Sequence, residues 1–264
     1  MHRSVKLAVG FLLLAATSCA SHLARPTNDQ LRILTYNIHH GEGEDGNFDL
    51  PRIAGVIMTA RPDLVALQEV DDQTARSSGI DQAAELGRLT GMHVVFGKAM
   101  DYAGGGYGEA ILSRYPIEES RNHILPASEG HEPRAAIEVV VGAGPGGSRV
   151  RFIGTHLDHT RDETDRINQA REILRIFKDD DIPMILAGDL NAESDSEPMR
   201  ILYSEWSDTF ADDPQPTFPV ENPRRRIDYV LYRPVDVWRV VEKEVIDERI
   251  ASDHRPVLVV FTYK

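Results

Sequence analysis

The apolar runs of this chain stop, one after another, on residues that bind metals or move protons. Residues 31–36 (LRILTY) form a short strand-like run ended by Asn37, and residues 64–67 end in Gln68 and Glu69. Residues 183–187 run into Gly188, Asp189, Leu190 and Asn191, while Asp253 and His254 stand just ahead of the run that begins at Val257. Between the first two runs, Leu50, Ile53, Ala54 and Ile57 recur at helical spacing, with Asp49 placed to cap the helix, Pro51 in its first turn and Pro62 beyond its end. Strand, helix and strand make a β-α-β unit, with both strand ends arriving at one edge of a sheet. An α/β fold with its polar residues gathered on one rim is the consequence.

The rest of the chain extends this pattern. A helix is predicted over residues 80–90, stopped by Gly91, and a strand over 93–96; glycines 104–106 read as a flexible loop. Short strands follow at 110–113, 135–141 and 150–155, the last two joined by the glycine-rich turn 142–147, as antiparallel hairpins would be. Ile167, Ala170, Ile173, Leu174 and Phe177 line one face of a helix over 163–178, and after a polar, proline-rich loop come strands at 227–232, 235–245 and 257–263. Helices mixed with hairpins point to two packed sheets flanked by helices, within one domain spanning 31–264. With 41% apolar and 27% charged residues, a disordered or collagen-like chain is excluded.

The N-terminus has a different character. Arg3 and Lys6 precede an apolar run over 7–16, which is the layout of an export signal over residues 1–18 and is shorter than the roughly 20 residues that span a bilayer. Cys19 is the only cysteine, so no disulfide forms within the chain. Ala16-Thr17-Ser18-Cys19 resembles a bacterial lipoprotein box. That resemblance implies lipidation of Cys19 and a membrane anchor, with secretion or a periplasmic location as the alternative, and residues 19–30 then serve as a tether. Without residues 1–18 the chain has 27 basic and 42 acidic residues, a formal charge of −15. Polyanions are normally met by a basic surface, so this charge disfavours nucleic acid, although a local basic patch can persist on an acidic protein. No protein partner is indicated.

Asn37, Glu69, Asp189, Asn191 and Asp253 are hard oxygen donors that suit Mg²⁺ or Mn²⁺ rather than a zinc site built from cysteine and histidine. In order along the chain stand Thr35-Tyr36-Asn37, Leu67-Gln68-Glu69, Thr155-His156-Leu157, Gly188-Asp189-Leu190-Asn191, Arg226-Ile227-Asp228-Tyr229 and Ser252-Asp253-His254-Arg255-Pro256. These six motifs resemble those of the endonuclease/exonuclease/phosphatase superfamily over nearly the whole of residues 31–263. The resemblance implies a four-layer α/β/β/α sandwich with the site at one end of the paired sheets.

It also implies roles, position by position. Glu69 matches the main metal ligand, with Asn37 and Asp253 close to the same ion. Asp189 matches the carboxylate that orients or deprotonates the attacking water, and Asn191 a group that holds the phosphate. His254 matches the histidine that contacts phosphate, and Asp228 the carboxylate that fixes its tautomer; a histidine so paired is also more readily protonated. Tyr107-Gly108-Glu109 is similar to the tyrosine-x-glutamate of the pancreatic deoxyribonuclease branch, which implies a second dyad between Glu109 and His156, with His156 as general acid or phosphate clamp. Arg134 and Arg76 are candidates for binding a substrate phosphate, solvated arginine being the competing reading. The run Arg224-Arg225-Arg226 reads as a solvated loop, and His39, His40 and His159 have no nameable partner.

The expected activity is metal-assisted hydrolysis of a small or lipid-derived phosphomonoester or phosphodiester, by in-line attack of water without a covalent intermediate. An extracellular nuclease is the rival reading, and a non-catalytic relative acting as a binding module is a third. No long apolar hairpin is present that would insert into a bilayer.

Overall fold

In the computed structural model, residues 30–178 and 181–264 are described. The export signal, Cys19 and residues 19–29 of the tether lie outside the described residues. The first strand, β1 (Gln30–Asn37), leads through a short 3-10 turn to helix α1 (Leu50–Ala60). Asp49 caps α1 by accepting from the Arg52 amide, Pro51 occupies the first turn, and Leu50, Ile53, Ala54 and Ile57 form its buried face. Strand β2 (Leu64–Asp72) then lies parallel to β1, Asn37 beside Gln68. Helix α2 (Gln82–Thr90), capped by Asp81 and ended by Gly91 in the left-handed region, precedes the hairpin of β3 (His93–Tyr102) and β4 (Gly105–Ser113).

The second half opens with β5 (Ile117–Leu125), β6 (Arg134–Val141) and β7 (Val150–His156). Helix α3 (Thr164–Phe177) then crosses to β8 (Met184–Asp189), which is parallel to β7. Helix α4 (Glu197–Tyr203), the two-residue β9 (Ser207–Asp208) and β10 (Asp228–Arg233) complete this half, and β11 (Trp238–Val245) and β12 (Val257–Tyr263) return to the first sheet. The strand orders are β11-β12-β1-β2-β4-β3 and β5-β6-β7-β8-β10-β9.

Period-two alternation sorts the strand side chains into layers. Ile33, Leu64, Ile111, Ile137, Phe152, Ile185, Val259 and Phe261 meet between the sheets. Their neighbours Leu34, Val65 and Leu112 face outward under α1 and α2, while Ile153, Leu186 and Leu231 do so under α3 and α4. Each such side chain contributes roughly 1.5–3 kcal/mol on full burial. The expected α/β/β/α sandwich is therefore the fold.

Several elements differ from their sequence reading. The glycine loop at 104–106 is a tight hairpin in which Gly105 and Gly106 already belong to β4, and β2 runs on past Glu69 to Asp72. Strand β5 shows no strand pattern in the sequence because it is an edge strand, mostly exposed, whose charged side chains hide the alternation. Helix α4 and β9 occupy what read as a polar loop.

Candidate active site

The two parallel pairs, β1–β2 and β7–β8, finish at one end of the sandwich, and each hands over a polar residue there. Asn37 closes β1, His156 closes β7 and Asp189 closes β8, with His156 and Asp189 opposite each other in the ladder. Glu69 leaves the β2–β4 ladder at a bulge between Leu67 and Val70, where its φ of 59° turns it out of line. Gly188, just before Asp189, is set by close approach: a Cβ there would meet the Thr155 carbonyl at 1.9 Å. Asp228 opens β10 directly opposite Asp189, and Asp253 and His254 lie in the turn ahead of β12, which runs antiparallel to β1.

Asp189 is the hub of the arrangement. Its Oδ2 accepts from Asn37 Nδ2 (3.2 Å) and lies 3.5 Å from His156 Nε2 and 3.6 Å from His254 Nε2, while Oδ1 accepts from the Asn191 amide (2.9 Å). His254 Nδ1 donates to Asp228 Oδ2 (3.0 Å), and Thr217 Oγ1 donates to the same oxygen (2.5 Å). Burial opposes a charge on His254, but Asp228 and then Asp189 overturn that and hold its pKa up at about 10. The imidazole is thus an imidazolium at neutral pH, with Nδ1–H on Asp228 and Nε2–H facing Asp189 and the cavity. Burial raises Asp189, with Asp228 adding to the effect, and His254 and the hydrogen bonds from Asn191 and Asn37 oppose the rise.

Around His156 the structure departs from the expected dyad. Arg134 Nη1 donates to His156 Nδ1 (3.3 Å), and Arg134 Nη2 contacts His159 Nδ1 (3.1 Å) and Glu132 (3.0 Å). A guanidinium can only donate, so Nδ1 of His156 accepts and the ring proton sits on Nε2. Burial and the Arg134 charge push the His156 pKa well down, so this histidine is neutral. Glu109 does not pair with it. Both Glu109 carboxylate oxygens are buried without a hydrogen-bond partner, and burial raises its pKa to about 8 against the pull of Arg134. Tyr107 belongs to the same cluster through Arg134, and burial raises its phenol. The reason lies in the layers: β4 carries Glu109 in one sheet, β6 carries Arg134 in the other, and the guanidinium takes the nitrogen that Glu109 was expected to hold.

Glu69 and Asp253 both face the cavity, and among the described residues their side-chain partners are neutral, Asn37 for Glu69 and Ser252 for Asp253, with no arginine or lysine paired to either. Two carboxylates with no arginine or lysine partner, on the wall that Asp189 shares, suit a divalent cation with oxygen ligands. Asn37 meets this group with its amide nitrogen, which donates to Glu69 (3.0 Å) as well as to Asp189, while its oxygen accepts from the His39 amide (3.1 Å). Asn37 is therefore tied to Glu69, and Ser252 Oγ, next to Asp253, donates to the Asn37 carbonyl (2.7 Å). His39 and His40 each offer a donor atom that, with one from Glu69, falls in a set within 4.8 Å. Their place two and three residues after Asn37, at the same strand end, was the available sequence signal.

These groups line a cavity of about 410 Å³. Arg76 lies on its wall, held by two hydrogen bonds from Nε and Nη2 to Asp71 (2.8 Å each) and stacked over Tyr102 and Tyr107. Arg134 is 1% exposed, which sets aside the solvated reading for it. Phe218 packs on His254 at 4.7 Å between ring centroids, and Ile227 lines the cavity as well. Of the arginine run, Arg224 and Arg225 are exposed as expected, while Arg226 is buried against Asp208 and over the Tyr229 ring.

Carboxylates for a cation, facing imidazole and guanidinium donors across a small cavity, define the site of a metal-dependent phosphoesterase. A family model of the Endonuclease/Exonuclease/phosphatase family matches residues 34–254, and the chain belongs to that family. It is accordingly a metal-dependent phosphoric ester hydrolase. The chain is 25% identical over 239 residues to the uncharacterized Escherichia coli protein YbhP, covering 85% of this chain and 93% of that one. An endonuclease/exonuclease/phosphatase from Beutenbergia cavernae superposes with a TM-score of 0.72 at 29% identity, covering 89% of this chain and 72% of its own. The mannosyl-6-phosphatase Bt3783 of Bacteroides thetaiotaomicron shares the fold with a TM-score of 0.73 at 20% identity, over 88% and 99% of the two chains.

Proposed function

We propose that this chain hydrolyses a small phosphomonoester or phosphodiester, whose non-reacting part is the size of a sugar or a lipid headgroup, with Mg²⁺ or Mn²⁺ and a water nucleophile. The observation that carries the reading is the cavity. Its volume of about 410 Å³ is near the low end of small-molecule sites (about 300–1,000 Å³), and Glu69, Arg134, His156, Asp189 and His254 all reach its wall. The mannosyl-6-phosphatase that shares the fold is a precedent for a phosphomonoester of this size.

Glu69 and Asp253 are the residues to hold the cation, with Asn37 fixing Glu69; a bound divalent ion supplies charge stabilisation at the phosphoryl oxygens. Asp189 is the group to orient the attacking water and take its proton, and burial that raises a carboxylate pKa improves it as a base. His254, kept charged by Asp228, offers Nε2–H to the phosphate, and neutral His156 offers a second donor whose direction Arg134 sets. Export, and lipidation at Cys19, are part of the proposal and rest on residues 1–19.

The test is hydrolysis of bis-p-nitrophenyl phosphate and p-nitrophenyl phosphate by the purified protein with Mg²⁺, Mn²⁺ or EDTA, beside Glu69→Ala and His254→Ala. Turnover that EDTA abolishes and that each variant lowers by about 10²-fold or more is expected. Metal-dependent turnover that survives in both variants would place the chemistry elsewhere.

A further inference from the structure

A second cluster of metal-ligating side chains stands outside the cavity wall. Asp158, two residues past the end of β7, is fully buried with its backbone pinned: its amide donates to Gln169 Oε1 (2.9 Å) and its carbonyl accepts from Arg166 Nη1 (3.0 Å). Its Oδ1 accepts from the Thr160 amide (2.9 Å) and the Thr160 hydroxyl. Its Oδ2 has no hydrogen-bond partner and points at His131, 4.0 Å from Nδ1. Asp165, in the first turn of α3, accepts from Ser128 through its amide and hydroxyl and from His131 Nδ1 (2.6 Å). One donor atom each from His131, Asp158 and Asp165 lies within 4.8 Å of the others.

A proton on His131 satisfies Asp165 alone, because 4.0 Å is too long for a hydrogen bond to Asp158. That leaves a buried carboxylate oxygen desolvated with nothing in return. A cation seated among the three atoms satisfies them together. Tetrahedral bonds of about 2.0–2.1 Å put neighbouring ligand atoms roughly 3.3 Å apart, and the separations of 2.6 Å and 4.0 Å from His131 Nδ1 bracket that spacing. The His131 side chain is 33% exposed, which opens a remaining position to water. An imidazole in the donor set favours a transition ion such as Zn²⁺ over Mg²⁺. Arg166 lies 4.0 Å from Asp158 Oδ1 but spends Nη1 on the carbonyls of Asp158 and Thr160, so the carboxylate stays available.

We propose that His131, Asp158 and Asp165 form a second cation site, of the Zn²⁺ type, that fastens the loop before β6 to the start of α3. That loop carries Glu132 and leads directly into Arg134, and His159 follows Asp158, so the site holds in place three residues of the cavity wall. It does not depend on the substrate assigned to the cavity.

The experiment titrates Zn²⁺ into metal-stripped protein under excess Mg²⁺, in a Glu69→Ala background that removes the cavity's principal carboxylate. The same titration is run with His131→Gln or Asp158→Asn added, and Co²⁺ is used in parallel for its visible absorption. One equivalent should be lost in each double variant, together with the Co²⁺ absorption, and Zn²⁺ should raise the melting temperature of Glu69→Ala alone by about 5 °C or more. Equal stoichiometry in all the proteins, or no binding in Glu69→Ala, overturns the proposal. His131→Gln alters a partly exposed loop side chain, so it carries the test should Asp158→Asn fail to fold.

Discussion

Glu109 is a carboxyl group enclosed between two sheets with neither oxygen hydrogen-bonded, and its pKa of about 8 follows from that burial. The native state therefore keeps the proton up to about pH 8, while the unfolded chain releases it near the ordinary value of 4.5. Within that window the native state binds more protons than the unfolded state, so this group's contribution to stability falls as pH rises. Glu109→Gln keeps the shape and removes the titration. Relative to the wild type, the variant should gain nothing at pH 4.5 and on the order of 3–5 kcal/mol near pH 8, read from urea midpoints at the two pH values. A difference independent of pH would mean that Glu109 is ionised in the native state and paired with Arg134.

At the scale of the element, the β7–β8 pair decides where Asp189 and His156 arrive, and Gly188 lets the two backbones meet. A methyl at Gly188 would fall 1.9 Å from the Thr155 carbonyl, a backbone atom that cannot move without breaking the ladder. Gly188→Ala should therefore cost about 3 kcal/mol or more and lower the melting temperature by about 6 °C or more, measured by thermal and urea unfolding. The same pair shows what the sequence makes legible. Strands covered on both faces read as largely apolar runs, and a polar residue at the end of such a run announces the rim, so Asn37 and Asp189 stand out in the sequence, whereas His156 is marked only by the family motif around it. Caps and prolines did the same for α1. Charged strand β5 did not stand out, because an edge strand has little apolar face to show. Nor did the pairing of Arg134 with His156, since spacing along β4, β6 and β7 says nothing of which side chain crosses between sheets to fill a given gap.

Over the whole molecule, the formal charge of −13 sets what can approach the cavity. Three arginines line it, and each is already paired with a carboxylate: Arg76 with Asp71, Arg134 with Glu132 and Arg225 with Glu193. Among the cavity residues there is thus no unpaired cationic track along which a nucleic-acid backbone would lie and release its counterions. A basic nuclease making 6–10 phosphate contacts loses about 10³–10⁵ in affinity between 50 mM and 200 mM salt. Here the field is of the opposite sign, so salt screens a repulsion, and screening over a Debye length of about 10 Å reaches a small substrate only weakly. Turnover of bis-p-nitrophenyl phosphate at fixed Mg²⁺ should therefore change by less than about 2-fold over that salt range. Plasmid and single-stranded DNA should stay intact at low salt, where a nuclease of the basic type is most active. Rapid nicking at 50 mM salt that fades by 200 mM would reveal a phosphate track outside the cavity and move the assignment to a nuclease; slow nicking that quickens with salt would leave DNA as an incidental substrate of a site shaped for something smaller.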